Sequence, residues 1–285
     1  MLLIDLSSVV ITATIDFMNK SGDDESYDKL IRHVALSQIL LYKNKFKEYG
    51  RPILCVDSTN FWRKDYFPNY KGHRKKARKE SDIDWNEFFR VFNEFKQELY
   101  DHFPYVMVEV PRVEADDIIA VLAHDTDEDV MIVSSDKDMI QLQQTCGDRI
   151  KQWSVVGKKH LTLTNTEYCL MTHIIKGDPG DGIPNILSDD DVFLDDEKRQ
   201  KSVYKKFIDK VKSSSDPLDV LDGDDVIKKF ERNRILIDMD YIPNDIVVSI
   251  NQQFQGESAK PKASKIYPYL VQHRMKLLLE RIGDF

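Results

Sequence analysis

Three short apolar runs in the first half of this chain each stop on an aspartate. LLID (2–5) ends at Asp5, PILCVD (52–57) at Asp57 and VMIVSSD (130–136) at Asp136, with Asp138 two residues further on. Such short, branched-aliphatic runs read as buried strands, and the helical patterns between them imply an α/β fold with a largely parallel sheet. Helical periodicity covers KLIRHVALSQILLYKNKF and WNEFFRVFNEFKQELY (85–100). YVMVEV (105–110) supplies a further strand, followed after Pro111 by Glu114-Ala115-Asp116-Asp117, which opens the helix EADDIIAVLAHD. Ligands of open α/β sheets bind just outside the carboxyl ends of the strands. Strands that each deliver an Asp there build one acidic crevice.

Any one of these acids has a plain explanation. EADD complements the positive end of a helix dipole, and an Asp at a strand end can simply be solvated. The set needs more. Converging carboxylates repel and burial raises the cost, so they coexist only when protonated or bridged by cations. On the helix, residues 114 and 117 share a face while 116 is splayed from them. A donor set made of hard carboxylate oxygens selects Mg²⁺ or Mn²⁺ over zinc. Acids from several strands suit two ions about 3.5–4 Å apart, one activating an attacking water and one stabilising the leaving oxygen of a phosphodiester. A further acidic turn, Gly177-Asp178-Pro179-Gly180-Asp181-Gly182, is weak alone because such turns are common.

Charge narrows the partners. With 41 Lys+Arg against 49 Asp+Glu, the net charge of −8 excludes a uniformly basic nucleic-acid coat. One segment stands out: residues 61–79 carry eight cations against the single acid Asp65. Trp62, Tyr66, Phe67 and Tyr70 interleave with them. Cations hold phosphates and aromatic rings stack on unpaired bases. The plain alternative is a solvated surface loop, but the run follows directly from Asp57. That adjacency assigns nucleic-acid contact to Arg63, Lys64, Tyr70, Lys75, Lys76 and Arg78.

Cys55, Cys146 and Cys169 form no C-x-x-C pair and read as buried filler in a reducing compartment. No apolar stretch approaches membrane-spanning length, and MLLIDLSS lacks the features of a signal peptide, so a cytoplasmic protein without a membrane partner is expected. After about residue 160 the strand signals fade. SDDDVFLDDEKRQ and SSSDPLDVLDGDD read as solvated connections, and KIYPYLVQHRMKLLLERI as one helix. For 285 residues this shift suggests two domains. Residues 1–160 form an α/β catalytic domain carrying the basic segment 61–80, and residues 161–285 form a helical region.

Taken in order, these motifs resemble the 5′-nuclease, or flap endonuclease, superfamily, and within it the T-even-type phage ribonuclease H branch. The matches are LLIDLSS with Asp5, ILCVD with Asp57, YKGHRKKAR with Lys71 and Arg74, EADD, SSDKD with Asp136 and Asp138, and GDPGD with Asp178 and Asp181. DIDWNEFF, KQW (151–153), IDMDYIPNDI (237–246) and SKIYPYL (264–270) extend the likeness over nearly the whole chain. Each motif alone is weak. EADD, SSDKD and GD-x-x-D in this order and spacing are specific.

The resemblance implies a mixed, mainly parallel central sheet flanked by helices, of the 5′-nuclease or PIN-like type. A C-terminal helical region with a helix–three-turn–helix motif would follow. It implies that Asp5, Asp57, Glu114, Asp116 and Asp136 surround a first Mg²⁺. Asp138, Asp178 and Asp181 would serve a second, with Asp117 between the groups. Lys71 and Arg74 would contact the scissile phosphate and stabilise its developing charge. The basic segment would form an arch that passes a single-stranded 5′ end. The activity implied is metal-dependent hydrolysis at 5′ ends of RNA·DNA hybrids, duplex DNA and 5′ flaps, with primer removal in replication as its task. A monomer is expected, in the host cytoplasm if phage-encoded, with a single-strand-binding protein or sliding clamp as partner.

One departure bears on duplex grip. Many relatives follow GD-x-x-D with an N-I-P-G-x-G-x-K-T-A hairpin that holds the backbone and often binds potassium. Here Gly182-Ile183-Pro184-Asn185-Ile186-Leu187 runs into Ser188-Asp189-Asp190-Asp191, which repels phosphate. The phage branch also lacks that hairpin. A rival reading is a non-catalytic fork or flap binder with structural ions, disfavoured because no acid of the motif set is replaced by a neutral residue. A haloacid-dehalogenase-type phosphatase needs a second Asp two residues after the first, and Asp5 is followed by Leu6 and Ser7.

Overall fold

The computed structural model describes residues 1–21, 27–164, 168–260 and 265–285, so the first residue of SKIYPYL lies outside the described residues. The chain opens with β1 (Leu2–Asp5), α1 (Leu6–Ser21), α2 (Tyr27–Lys45), β2 (Pro52–Cys55), α3 (Arg63–Tyr66) and α4 (Arg74–Lys79). It continues through α5 (Trp85–His102), β3 (Val106–Val108), α6 (Ala115–His124), β4 (Val130–Val133), α7 (Ile140–Cys146), β5 (Ile150–Ser154) and β6 (Lys159–Leu161). Helices follow: α8 (Leu170–Lys176), α9 (Lys205–Lys212), α10 (Asp224–Ile237), α11 (Asn244–Ala259), α12 (Ile266–Gln272) and α13 (Lys276–Leu279).

These elements form two compact units, and the division is not the expected one at residue 160. The first unit joins Met1–Thr59, Ile83–Thr166 and Asp245–Phe285, and the second joins Asn60–Asp82 to Glu167–Asn244. The physical reason lies in the cores. Ile266, Tyr269, Leu270, Met275 and Leu278 are buried with the sheet and with α2 and α5, whereas Phe67 and Tyr70 of the basic segment are buried with Ile174, Ile186 and Phe230.

In the first unit the sheet runs β3-β2-β1-β4-β5-β6, parallel up to β5 and antiparallel at β6. Every residue of β1, β2, β3 and β4 is buried, as their unbroken apolar runs require. The chain builds outward from β1 to β3 on one side, then restarts beside β1 with β4. The strand order therefore reverses between β1 and β4, which pair Leu2 with Met131 and Ile4 with Val133. Helix α5 forms because Phe88, Val91, Phe92, Phe95 and Leu99 share one face, and because Asp84 caps it by accepting from the amides of Asn86 and Glu87 at 3.1 and 3.0 Å. The expected single C-terminal helix is broken. Arg274 takes a left-handed conformation (φ 54), and the Met275 amide turns back to the Leu270 carbonyl at 2.9 Å. Only Cys55 of the three cysteines is fully buried.

The second unit packs α3, α8, α9 and α10 around Phe67, Tyr70, Ile174, Ile175, Ile183, Phe230 and Leu236, while α4 has no buried residue. Asn233, fully buried, donates to the carbonyls of Ile174 (3.0 Å) and Pro184 (2.9 Å), which ties α8 to the segment after the acidic turn. Of the helix–three-turn–helix motif, α8 and the turns at 177–182 are formed, but residues 183–204 carry no helix. Acids of this stretch are paired: Asp191 with the nearby Lys198, and Asp190 and Asp196 with the sequence-distant Arg232 and Lys76. Among the described residues no helix is long and apolar enough to cross a membrane.

Candidate metal centre

Asp5 is the last residue of β1 and only 7% exposed. One carboxylate oxygen accepts the Ser8 amide at 2.9 Å and the other accepts the Ser134 hydroxyl at 3.1 Å. Ser134 follows β4, so the two strands that flank the reversal are tied together through this aspartate. Ser134 Oγ also receives the Asp136 amide at 3.2 Å, and Asp136 Oδ1 receives the Asp138 amide at 2.9 Å. Behind them the buried Gln152 side chain donates to the main-chain carbonyls of Ser134 (3.0 Å) and Asp136 (2.5 Å). Asp57, two residues past β2, accepts the Ala115 amide at 2.9 Å and so seats the start of α6. Glu114 and Asp117 are nearly fully buried, and Asp117 accepts the Glu114 amide at 3.2 Å in a capping box. These two acids thus have the local helix-capping role, while Asp116 stands between them, half-buried.

The electrostatics single out this cluster. Burial first, and the neighbouring Asp57 charge second, push the Asp5 carboxyl up to about 7, against the opposing Ser8 and Ser134 hydrogen bonds; Asp136 adds to the rise. Cys55 beside them is pushed well above the usual thiol range by burial and by the charges of Asp5, Asp116 and Asp57. Four carboxylates from β1, β2, α6 and the end of β4 therefore act on one place at the switch point of the sheet. Oxygen donors of like charge that influence one another in this way, one of them driven toward protonation, have the chemistry that suits a hard divalent cation. Ser134 and Gln152, which orient the cluster, were not foreseen from sequence; the signal was the short polar pair Ser134-Ser135 at a strand end.

In the second unit Asp181 has different surroundings. Arg74 donates to its Oδ1 at 2.6 Å, Tyr70 donates its hydroxyl to Oδ2 at 2.7 Å, and Lys71 Nζ lies 3.4 Å from Oδ2. Burial works to raise this carboxyl, but Lys71, Arg74 and Tyr70 outweigh it and hold it below the usual carboxylate range. Both oxygens of Asp181 are thus engaged by side chains of its own unit. Asp178 accepts the Gly180 amide at 2.8 Å, and His173, absent from the sequence expectations, lies 3.9 Å away.

The basic segment divides in two. Arg63 is buried, donates to the Leu236 carbonyl at 2.9 Å and stacks on Trp62 at 4.5 Å. Tyr70 is 2% exposed and engaged with Asp181. Both are corrected from nucleic-acid contacts to core residues, and Trp62 and Phe67, equally buried, cannot stack on bases. Lys64, Lys75, Lys76 and Arg78 are exposed.

Residues 1–171 match the family described as 5′-3′ exonuclease, N-terminal resolvase-like domain, and residues 164–285 match T4 RNase H, C terminal. Ribonuclease H of Enterobacteria phage T4 is 30% identical over 295 residues, covering 99% of this chain and 95% of that protein. An exonuclease of Escherichia phage T7 is 28% identical over 183 residues, covering 58% and 55% respectively. Among solved structures, a bacteriophage T5 flap endonuclease complex with DNA and metal ions superposes with a TM-score of 0.64 at 17% identity, covering 91% of this chain and 99% of that one. A T5 5′-exonuclease with bound zinc gives 0.62 at 18% identity, covering 90% and 99%. At these identities the two structures speak for the fold: a mainly parallel six-stranded sheet flanked by helices.

Proposed function

We propose that this chain, which belongs to the 5′-3′ exonuclease family and is therefore a nuclease hydrolysing phosphodiester bonds, acts with Mg²⁺ at the 5′ ends of RNA·DNA hybrids, duplex DNA and 5′ flaps. Its task on this reading is primer removal in replication. The observation that carries it is the placement of Asp5, Asp57, Asp116 and Asp136 at or just past the ends of β1, β2 and β4 and at the start of α6, beside the reversal of strand order. Asp5, Asp57, Asp116 and Asp136 would hold the ion, with Mn²⁺ able to replace Mg²⁺. Bound there, the ion supplies water activation and neutralises charge on the reacting phosphate. The protein's own work is orientation. Ser134 and Gln152 hold the β4 end, and the Ala115 amide fixes the Asp57 carboxylate.

Lys71 and Arg74 are assigned the charge that develops on the phosphate, and the exposed Lys64, Lys75, Lys76 and Arg78 the affinity for the backbone. A single-strand-binding protein or clamp is the partner class the family suggests. The deciding experiment digests a 5′-labelled RNA·DNA hybrid with Mg²⁺ or EDTA. Cutting is expected with Mg²⁺ alone, and Asp136→Asn is expected to abolish turnover while still binding the hybrid. Wild-type cutting by Asp136→Asn at saturating Mg²⁺ would remove the assigned centre. Tight binding without any cutting by the unaltered protein would favour a fork or flap binder.

A further inference from the structure

We propose that Asp181 is a positioning residue for the basic segment, holding Lys71 and Arg74 in register, and not a ligand of the ion held by the strand-end carboxylates. The inference rests on the reading of those carboxylates as a metal centre.

The geometry is that of a clasp. Both carboxylate oxygens of Asp181 are engaged by Arg74, Tyr70 and Lys71. The main chain repeats the grip: the Lys71 amide donates to the Asp181 carbonyl at 2.8 Å, and Arg74 Nε and NH2 each donate to the Gly180 carbonyl at 3.2 Å. Lys71 takes a left-handed conformation (φ 56) that a side-chain-bearing residue keeps only when its surroundings over-determine it. Gly182 closes the contact from the other side, since a Cβ there would lie 2.7 Å from His73 Nδ1. Residues 70–74 and 178–182 are thus joined by side chain, main chain and packing at once. A divalent ion ligated by the same carboxylate would be set against two resident cations, which is unfavourable unless they leave.

The test separates ion binding from positioning. Asp181→Asn keeps the size of the side chain and removes its charge. Mn²⁺ affinity of the nucleic-acid-free protein, by titration calorimetry, should stay within about threefold of wild type, whereas Asp57→Asn should lower it about tenfold or more. At saturating hybrid, the single-turnover rate of Asp181→Asn should fall about tenfold, with hybrid affinity changed less than about threefold. Combined with Arg74→Gln, Asp181→Asn should add less than about twofold to the rate loss, because the two act as one unit.

A tenfold loss of Mn²⁺ affinity in Asp181→Asn, an unchanged single-turnover rate, or additive losses would each overturn the proposal. If Asp181→Asn does not fold, Arg74→Gln, at a side chain 42% exposed, supplies the answer. Unchanged Mn²⁺ affinity supports the clasp, and a rise of about tenfold unmasks a ligand and overturns it. Full Mn²⁺ affinity in Asp57→Asn would instead refute the metal centre and leave the clasp standing on its kinetic arm.

Discussion

Asp5 and Asp181 are both aspartates in largely buried positions, yet their surroundings drive them apart: carboxylate neighbours and burial raise the first, and cations lower the second. The consequence for stability has opposite signs. The unfolded Asp5 titrates near 3.8 and the folded one near 7, so between these values the folded state holds the extra proton. Its contribution is fully present below about pH 4 and is lost as pH rises through about 7, to the extent of at most ~4 kcal/mol by linkage. Asp181 behaves in reverse, contributing above the unfolded value and losing that contribution as pH falls through its lowered one. In EDTA, therefore, Asp5→Asn should melt higher than wild type at pH 8 and should flatten the decline in melting temperature between pH 5 and 8. A lower melting temperature at pH 8 would mean that Asp5 is not strained by its neighbours. The same contrast separates the cations: Lys71→Ala should depress the single-turnover rate more than binding, while exposed Lys75→Ala should change affinity and its salt dependence with little effect on chemistry. Equal losses of chemistry from both would sink that division.

At the level of elements, the acidic turn depends on Gly177, which no other residue can replace. Gly177 has φ +69, and a Cβ there would lie 2.3 and 2.4 Å from the carbonyl oxygens of Ile183 and Pro184, which are main chain and cannot swing aside. Gly223, in the same unit with φ +91, has nothing within 4 Å. Urea unfolding should find Gly223→Ala weakened by about 1 kcal/mol from the backbone conformation alone, and Gly177→Ala by at least about 3 kcal/mol. Similar losses at both sites would show that the turn yields more readily than its contacts suggest. The elements also mark where sequence reading succeeds. β1, β2, β3 and β4, α2 and α5 were legible because unbroken apolar runs and a 3.6-residue stripe each have one structural solution, and the acids at the strand ends came with them. β5 was missed because its buried face includes Gln152, whose side-chain nitrogen donates to the carbonyls of Ser134 and Asp136 just past β4 and which carries no hydrophobic signal. Tyr70 and Arg63 were misread because basic and aromatic letters look the same whether the rings face solvent or a core. Only the tertiary packing of the second unit decides that.

For the whole molecule, the first unit borrows its closing layer from the far end of the chain. Leu270 is fully buried in the core formed by β1, α2 and α5, and the Tyr269 hydroxyl donates to Glu98 at 2.7 Å. Glu98 in turn takes Arg32 in a bidentate pair at 2.7 and 2.8 Å. Leu270→Ala should destabilise this unit by about 2–5 kcal/mol, visible as faster amide exchange in β1, α2 and α5. Unchanged protection there would mean that α12 is a passive cover.

The chain enters and leaves the first unit repeatedly, at 59/60, 82/83, 166/167 and 244/245. That path sets an order of events during synthesis. By residue 138 every strand-end carboxylate has been made, but the apolar side chains that complete the core around the sheet arrive only with residues 266–278. Meanwhile the second unit has all of its residues once Asn244 is made. A nascent chain of this protein therefore carries its strand-end acids on a sheet whose apolar core stays incomplete until residues 266–278 are made.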